Sequence, residues 1–166
     1  MNPRRLSSAL FLIIALLILF YPSFAIGTIT IRITDSGEKL GDSMHIRCKN
    51  LALHRMGEGE TVGWITLINQ TDRYDLIGLS NITEIMVRSR ITIGRYDRIR
   101  FTVSEATVTV NGTDTKLGVR AEQVTIALEF SVASGETVVI VDFRTNFKQT
   151  IAEGTFRASP TAYVQT

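Results

Sequence analysis

Cysteine, histidine and proline are all scarce in this sequence. Its 166 residues include one Cys, two His and three Pro. With Cys48 as the single cysteine, no internal disulfide can form. Cys48 alternates with the apolar Met44 and Ile46, which favours a buried thiol over an intermolecular disulfide or a reactive group. We expect His45 and His54 to face solvent, because each falls on the strand face opposite its apolar neighbours.

Patterns that mark catalysis or metal binding are missing as well. No Ser or Cys nucleophile has an evident base, and the G-x-S-x-G pattern does not occur. Neither histidine has a partner at zinc-ligand spacing. We therefore predict a protein that is not an enzyme and that needs no cofactor.

The N-terminal residues 1–25 differ from the rest of the chain. Arg4 and Arg5 precede a strongly apolar run, and the small Ser23 and Ala25 have the spacing of a signal-peptidase site. This pattern predicts a hydrophobic signal helix that is either cleaved or kept as a signal anchor, since the run approaches the ~17–25 residues that span a bilayer. Both alternatives place the rest of the protein outside the cytoplasmic membrane, because the arginines stay inside.

The predicted location is therefore extracellular or in the cell envelope, at the outer face of the cytoplasmic membrane. Contact with the membrane would occur only through residues 1–25, if they are not cleaved. That segment holds two of the 18 basic residues and none of the 16 acidic ones, so residues 26–166 contain equal numbers of both. Such a neutral domain lacks the basic surface that nucleic-acid binding requires.

Residues 26–166 have the pattern of one all-β domain. Short apolar-polar alternations recur with turns between them, and they predict an antiparallel β-sandwich of immunoglobulin-like or transthyretin-like type, with a small barrel as the alternative. A slip in apolar phase predicts a bulge near Lys49 and Asn50. Asn111-Gly112 predicts a tight hairpin, and the Val/Ile run at 137–143 predicts a central strand covered on both faces.

The first predicted strand, residues 27–34, alternates most regularly. Ile29, Ile31 and Ile33 share one face, and Thr and Arg side chains occupy the other. The strand follows the predicted cleavage site directly, so it could pair within its own domain or add to the edge of a neighbour. We therefore predict these three isoleucines as interaction residues.

Three kinds of surface site are also candidates. Asn69, Asn81 and Asn111 each begin an N-x-S/T sequon, which makes an exported glycoprotein plausible. Asp35, Glu38 and Asp42 crowd one glycine-containing loop and are weak candidates for Ca²⁺, with a solvated turn as the alternative. The residues that could stack on sugar rings are the large aromatics Trp64, Tyr74, Tyr96 and Tyr163, with Trp64 more typical of a core residue.

An ordered set of segments resembles a known family. The segments are Gly27-Thr-Ile-Thr-Ile-Arg-Ile-Thr-Asp35, Trp64-Ile-Thr-Leu67, Tyr74-Asp-Leu-Ile-Gly-Leu79, Gly94-Arg-Tyr-Asp-Arg-Ile-Arg-Phe101, Val108-Thr-Val-Asn-Gly-Thr113 and Val138-Val-Ile-Val-Asp-Phe143. Over residues 27–164 the chain resembles domain of unknown function 4382, found in exported bacterial and archaeal proteins. The resemblance implies an exported β-sandwich and carries no catalytic residue.

The chain departs from the pattern of that family at two places. Ser36-Gly37 stands where the family often has proline, and Arg144 stands where it often has a second aspartate. If that aspartate helps relatives to bind something, this chain lacks the group.

Together these features predict a non-enzymatic cell-surface β-sandwich that acts by protein interaction or assembly, with other surface proteins or copies of itself as partners. The alternative is a carbohydrate-binding module whose partner is a polysaccharide.

Overall fold

A computed structural model describes residues 25–120 and 122–165 of the chain. All but one of its regular elements are β-strands. In chain order they are β1 (Ile26–Thr34), β2 (Ser43–Arg55), β3 (Trp64–Ile68), β4 (Asp72–Asp75), β5 (Glu84–Thr92), β6 (Gly94–Val110), β7 (Thr113–Arg120), β8 (Gln123–Val132), β9 (Glu136–Asp142), α1 (Phe147–Glu153), β10 (Thr155–Arg157) and β11 (Thr161–Gln165). The predicted signal segment lies, apart from Ala25, outside the described residues.

One sheet has four strands in the order β11-β9-β1-β5. The first strand, β1, runs antiparallel to β5 and parallel to β9, and β11 is antiparallel to β9. β9 is thus a central strand, as its run of Val and Ile predicts.

The other sheet has seven strands and is organised by the two longest ones. Its path is β10-β7-β6-β2-β3, with β4 also paired to β2 and β8 also paired to β6. Because β6 has 17 residues and β2 has 13, each is long enough to take two short partners, one after the other, along the same edge. The prediction of an all-β domain is confirmed, but its antiparallel arrangement is only partly correct, because β1–β9 and β7–β10 are parallel pairs.

The hydrophobic core joins residues of both sheets. Ile29, Ile31 and Ile33 are fully buried in it, and the Phe101 ring of β6 lies 5.7 Å from the ring of Phe143, which follows β9. The two sheets do not close into a barrel. Alternation of apolar residues at period 2 explains this packing, since it gives each strand one apolar face.

Two local predictions are confirmed. The pairing register of β2 shifts between Lys49 and Ala52, and Asn50 has φ of 55°. The β6–β7 turn has φ of 51° at Asn111 and 74° at Gly112, as a type I′ hairpin requires at both central residues.

The C-terminal part contains two short strands. β10 and β11 lie on different sheets and are separated by Pro160. The short helix α1 before them was not predicted. The Asn146 side chain accepts a hydrogen bond from the N–H of Gln149 to cap its start, and Gly154 ends it with φ of 61°.

The described part of the chain contains no helix with the length and apolarity needed to cross a membrane.

Candidate functional site

The three acidic residues predicted for a cation do not converge. Asp35 is buried and accepts hydrogen bonds from the backbone N–H groups of Gly37 and Thr145, at 2.6 and 3.0 Å. Asp42 accepts instead from the N–H of Gly112 in the β6–β7 turn, and Glu38 is exposed. Within residues 25–120 and 122–165, no group of three His, Cys, Asp or Glu side chains has the arrangement of a metal site.

The two departures from the family pattern meet at one carboxylate. Asp142, at the end of β9, accepts hydrogen bonds from the N–H and hydroxyl of Ser36, at 2.9 and 2.7 Å, and from the Nε of Arg144, at 3.1 Å. Burial alone would raise the pKa of Asp142, but these hydrogen bonds outweigh it and lower the pKa. Asp142 therefore links the C-terminal ends of β1 and β9 through hydrogen bonds within the chain.

All three sequon asparagines are exposed. Asn69 follows β3, Asn81 precedes β5 and Asn111 lies in the β6–β7 turn. Their side chains are accessible for attachment of an oligosaccharide, and occupancy stays a prediction.

The four aromatic candidates for sugar stacking lie apart. Tyr74 and Tyr96 belong to the core, and the hydroxyl of Tyr96 donates to the carbonyl of Thr92. Trp64 is half-buried on the outer face of the seven-stranded sheet, where the Arg100 guanidinium lies 3.9 Å from its ring centroid. Tyr163 alone among the four is exposed, at 46%.

Trp64 also covers a histidine that the sequence predicts to be exposed. His54 is fully buried, with its ring centroid 5.0 Å from that of Trp64. Its Nδ1 lies 2.7 Å from Oδ1 of Asp97, and its Nε2 lies 3.1 Å from the carbonyl oxygen of Gly59. The prediction of solvent exposure is wrong because the β2–β3 loop folds back over this face of β2.

Both pKa values of this pair are shifted. Burial favours neutral His54, but the hydrogen bonds to Gly59 and Asp97 outweigh it and raise its pKa above the ordinary 6.5. Burial likewise opposes ionised Asp97, but the bond from His54 outweighs it and, with Arg98 nearby, lowers the pKa of the carboxyl. Both nitrogens of His54 are engaged, so the ring has no free nitrogen to act as a general base.

The cysteine is equally inert. Burial, together with the nearby charge of Asp72, raises the pKa of the Cys48 thiol to about 12. At neutral pH the reactive thiolate is therefore not formed.

The interaction residues predicted on β1 face inward. Ile29, Ile31 and Ile33 are at the centre of the core, so a partner could reach them only if β1 left its own sheet. The other face of the same strand carries Thr28, Thr30 and Arg32 outward.

Four residues of the four-stranded sheet form a row across that outer face, which we call the outer stripe. Strand register places Tyr163 opposite Ile140, Ile140 opposite Arg32, and Arg32 opposite Ile85. Ile140 is buried without belonging to the core cluster, and Ile85 is 50% exposed. With strands ~4.8 Å apart, the row extends over about 14 Å.

Arg32, inside the stripe, lacks an acceptor. Its Nε atom is buried and has no hydrogen-bond partner, and within the described residues its guanidinium forms no salt bridge. Three polar side chains beside the stripe satisfy one another: the Thr30 hydroxyl donates to Glu136, which also pairs with Arg88. An apolar stripe with one unpaired arginine therefore lies beside a polar border.

The sequence held two signals for the stripe. The unbroken Val/Ile run of β9 requires some apolar residues to face outward, and the regular alternation of β1 places Arg32 there. Which residues lie beside them depends on register between strands distant in the chain.

A family model described as Domain of unknown function (DUF4382) matches residues 26–157. The chain belongs to the DUF4382 family. The match begins at the first residue of β1 and ends at the last residue of β10, so it contains every strand of the two sheets except β11. No curated protein and no solved structure matches the chain.

Proposed function

We propose that this DUF4382 protein is exported and acts at the cell surface as a non-enzymatic β-sandwich that binds another protein through the outer stripe. The observation that carries the proposal is the row of Tyr163, Ile140, Arg32 and Ile85. Export rests on the signal-like residues 1–25. We also propose that its β-sandwich is of immunoglobulin-like or transthyretin-like type.

The composition of the stripe is typical of the centre of a protein interface. Tyrosine and arginine are enriched among the residues that contribute most to binding, and apolar neighbours exclude water around them. Tyr163 and Ile85 offer exposed apolar surface at the two ends, and Ile82, before β5, adds another exposed apolar side chain at 59%. The hydrogen-bonded group of Thr30, Glu136 and Arg88 then supplies the polar rim.

Arg32 indicates the chemistry of the partner. A buried donor without an acceptor costs about 1–3 kcal/mol, and a carboxylate is the planar acceptor that an arginine fork binds best. We therefore infer a partner that presents an Asp or Glu side chain within an apolar surface.

The same residue disfavours self-association through the stripe. A two-fold contact centred there would bring the two Arg32 guanidinium groups towards each other, because such contacts use the same patch on both copies. Like charges facing each other across an interface oppose binding. A different protein is the better occupant.

The test is site-specific photo-crosslinking in the cells that make the protein. A benzoylphenylalanine at position 85 or 163 is expected to give one discrete adduct on irradiation. The matched control is the same probe at Thr125, which is exposed on the outer face of the seven-stranded sheet.

Adducts of equal yield from all three positions would contradict the proposal, as would none from positions 85 and 163. An adduct with the mass of two copies would show that the stripe binds a second copy of the chain and not a different, acidic protein.

Of the four aromatic candidates for carbohydrate binding, Tyr163 alone is exposed. If a polysaccharide were the ligand, a Tyr163→Ala variant would lose retention on polysaccharide gels and keep the crosslink from position 85.

A further inference from the structure

His54 lies between two hydrogen-bond acceptors in a place that water does not reach. One acceptor is the Asp97 carboxylate on β6 and the other is the carbonyl of Gly59 in the β2–β3 loop. Neither group can donate a proton. A neutral imidazole carries one N–H and can satisfy only one of them, so both hydrogen bonds require the doubly protonated imidazolium.

We propose that residues 56–63, the lid loop, are a pH-sensitive cover on the outer face of the seven-stranded sheet, held closed by protonated His54. Loss of the proton leaves N–H on Nδ1, where the Asp97 carboxylate holds it. Nε2 then directs a lone pair at the Gly59 oxygen, 3.1 Å away, and the two groups repel. The tip of the lid loop separates from β2 as pH rises.

The lid loop is closely fitted to the histidine. Gly63 has φ of 80°, and a Cβ placed there would lie 2.4 Å from the Cβ of Glu58 and 3.3 Å from Nε2 of His54. Only glycine combines that conformation with that approach. The C-terminal end of the lid loop is therefore packed directly against the ring of His54.

Charged groups around His54 set the direction of the response. Asp97, on β6, favours the imidazolium, whereas Arg98 beside it opposes the positive charge. Arg98 pairs with Glu60 of the lid loop at 3.4 Å, and Arg100 lies over Trp64 on β3. Arg98 also pairs with Asp97 at 3.6 Å, so it keeps a partner on β6 when the lid loop moves.

Trp64 gives a built-in probe of this change. It is the single tryptophan of the chain, its ring lies against His54, and its Nε1 donates to the carbonyl of Glu60 at 2.9 Å. Emission from an indole responds to the charge of a neighbouring imidazole, and exchange of the indole N–H reports separation of the lid loop from β3.

The experiment follows Trp64 emission and indole N–H protection in the full-length chain, kept in mild detergent, from roughly pH 5 to 9, the range in which histidine titrates. A single step is expected, with its midpoint above 6.5, the ordinary pKa. His54→Gln should abolish the step, and Asp97→Asn should move it to lower pH. His45→Gln, at the other histidine, should leave it unchanged.

A step that persists in His54→Gln, or emission and protection that stay constant across the range, would overturn the proposal. If His54→Gln does not fold, the proton resonances of the two histidine rings in the unaltered chain decide the matter. The ring of His54 must titrate together with the loss of indole protection.

Discussion

The outer faces of the two sheets use their polar groups differently. On the seven-stranded sheet, His54, Asp97, Arg98, Glu60 and Trp64 form hydrogen bonds and ion pairs with one another. On the four-stranded sheet, the outer stripe leaves Tyr163 and Ile85 exposed, and Arg32 has no acceptor among residues 25–120 and 122–165. The first face is satisfied within the chain, and the second is the one that a partner would complete.

The difference between the two outer faces indicates which of them is the better candidate for a binding surface. A satisfied cluster such as His54–Asp97 stabilises the fold and responds to pH. An unsatisfied row such as the outer stripe leaves a buried polar atom unpaired and large apolar side chains exposed, so its composition needs another explanation. The proposed binding of a partner would supply that explanation.

The largest effect on stability is expected at the buried face of β1. Ile31→Ala removes a fully buried side chain and should lower the free energy of unfolding by about 2–5 kcal/mol. Urea unfolding followed by circular dichroism measures this loss. A loss below ~1 kcal/mol would mean that Ile31 is not a core residue.

A smaller loss is expected when the satisfied cluster is broken. Asp97→Asn leaves buried His54 without its carboxylate and should cost about 1–3 kcal/mol at neutral pH. The matched control is Asp114→Asn, at an exposed residue of β7, which should cost less than half as much. Equal losses in both variants would show that the His54–Asp97 pair contributes no more to stability than an exposed aspartate does.

The pH dependence of stability follows from the same cluster. Because folding raises the pKa of His54, its contribution is complete below 6.5 and is lost as pH rises through the folded-state pKa. Folding lowers the pKa of Asp97 and Asp142, so their contributions are present above the ordinary carboxyl value and are lost as pH falls through the folded-state pKa. Thermal unfolding of the full chain against pH should show a maximum between these limits, and His54→Gln should flatten its alkaline side.

The smallest effect on stability is expected in the outer stripe. Arg32→Ala should not lower the free energy of unfolding, since within the described residues the side chain has no partner to lose and the substitution removes the cost of its unpaired Nε. The same urea series measures it. A loss comparable with that of Ile31→Ala would place Arg32 among the residues that hold the fold together.

Much of the fold follows from local pattern. Alternation predicts β1, the slip of apolar phase predicts the bulge at Asn50, and Asn111-Gly112 predicts the hairpin. These features depend on neighbouring residues alone. Helix α1 was missed because its seven residues are too few for a clear helical period.

The candidate sites depend on contacts between distant parts of the chain. The outer stripe unites residues 32, 85, 140 and 163, and only the strand register brings them into one row. His54 alternates with apolar residues as a surface residue does, and it is buried by a loop whose path alternation does not reveal. Sequence patterns therefore predict which face of a strand a residue occupies, but not what lies beside it or covers it.

Charge reversal at Arg32 is the decisive test of the proposed binding of an acidic partner to the outer stripe. Crosslinking yield from a probe at position 163 is compared in Arg32→Glu and Arg90→Glu, the latter an exposed arginine of β5 outside the stripe. We expect Arg32→Glu to abolish the adduct and Arg90→Glu to keep it. An adduct that survives Arg32→Glu at full yield would show that the partner does not bind through Arg32.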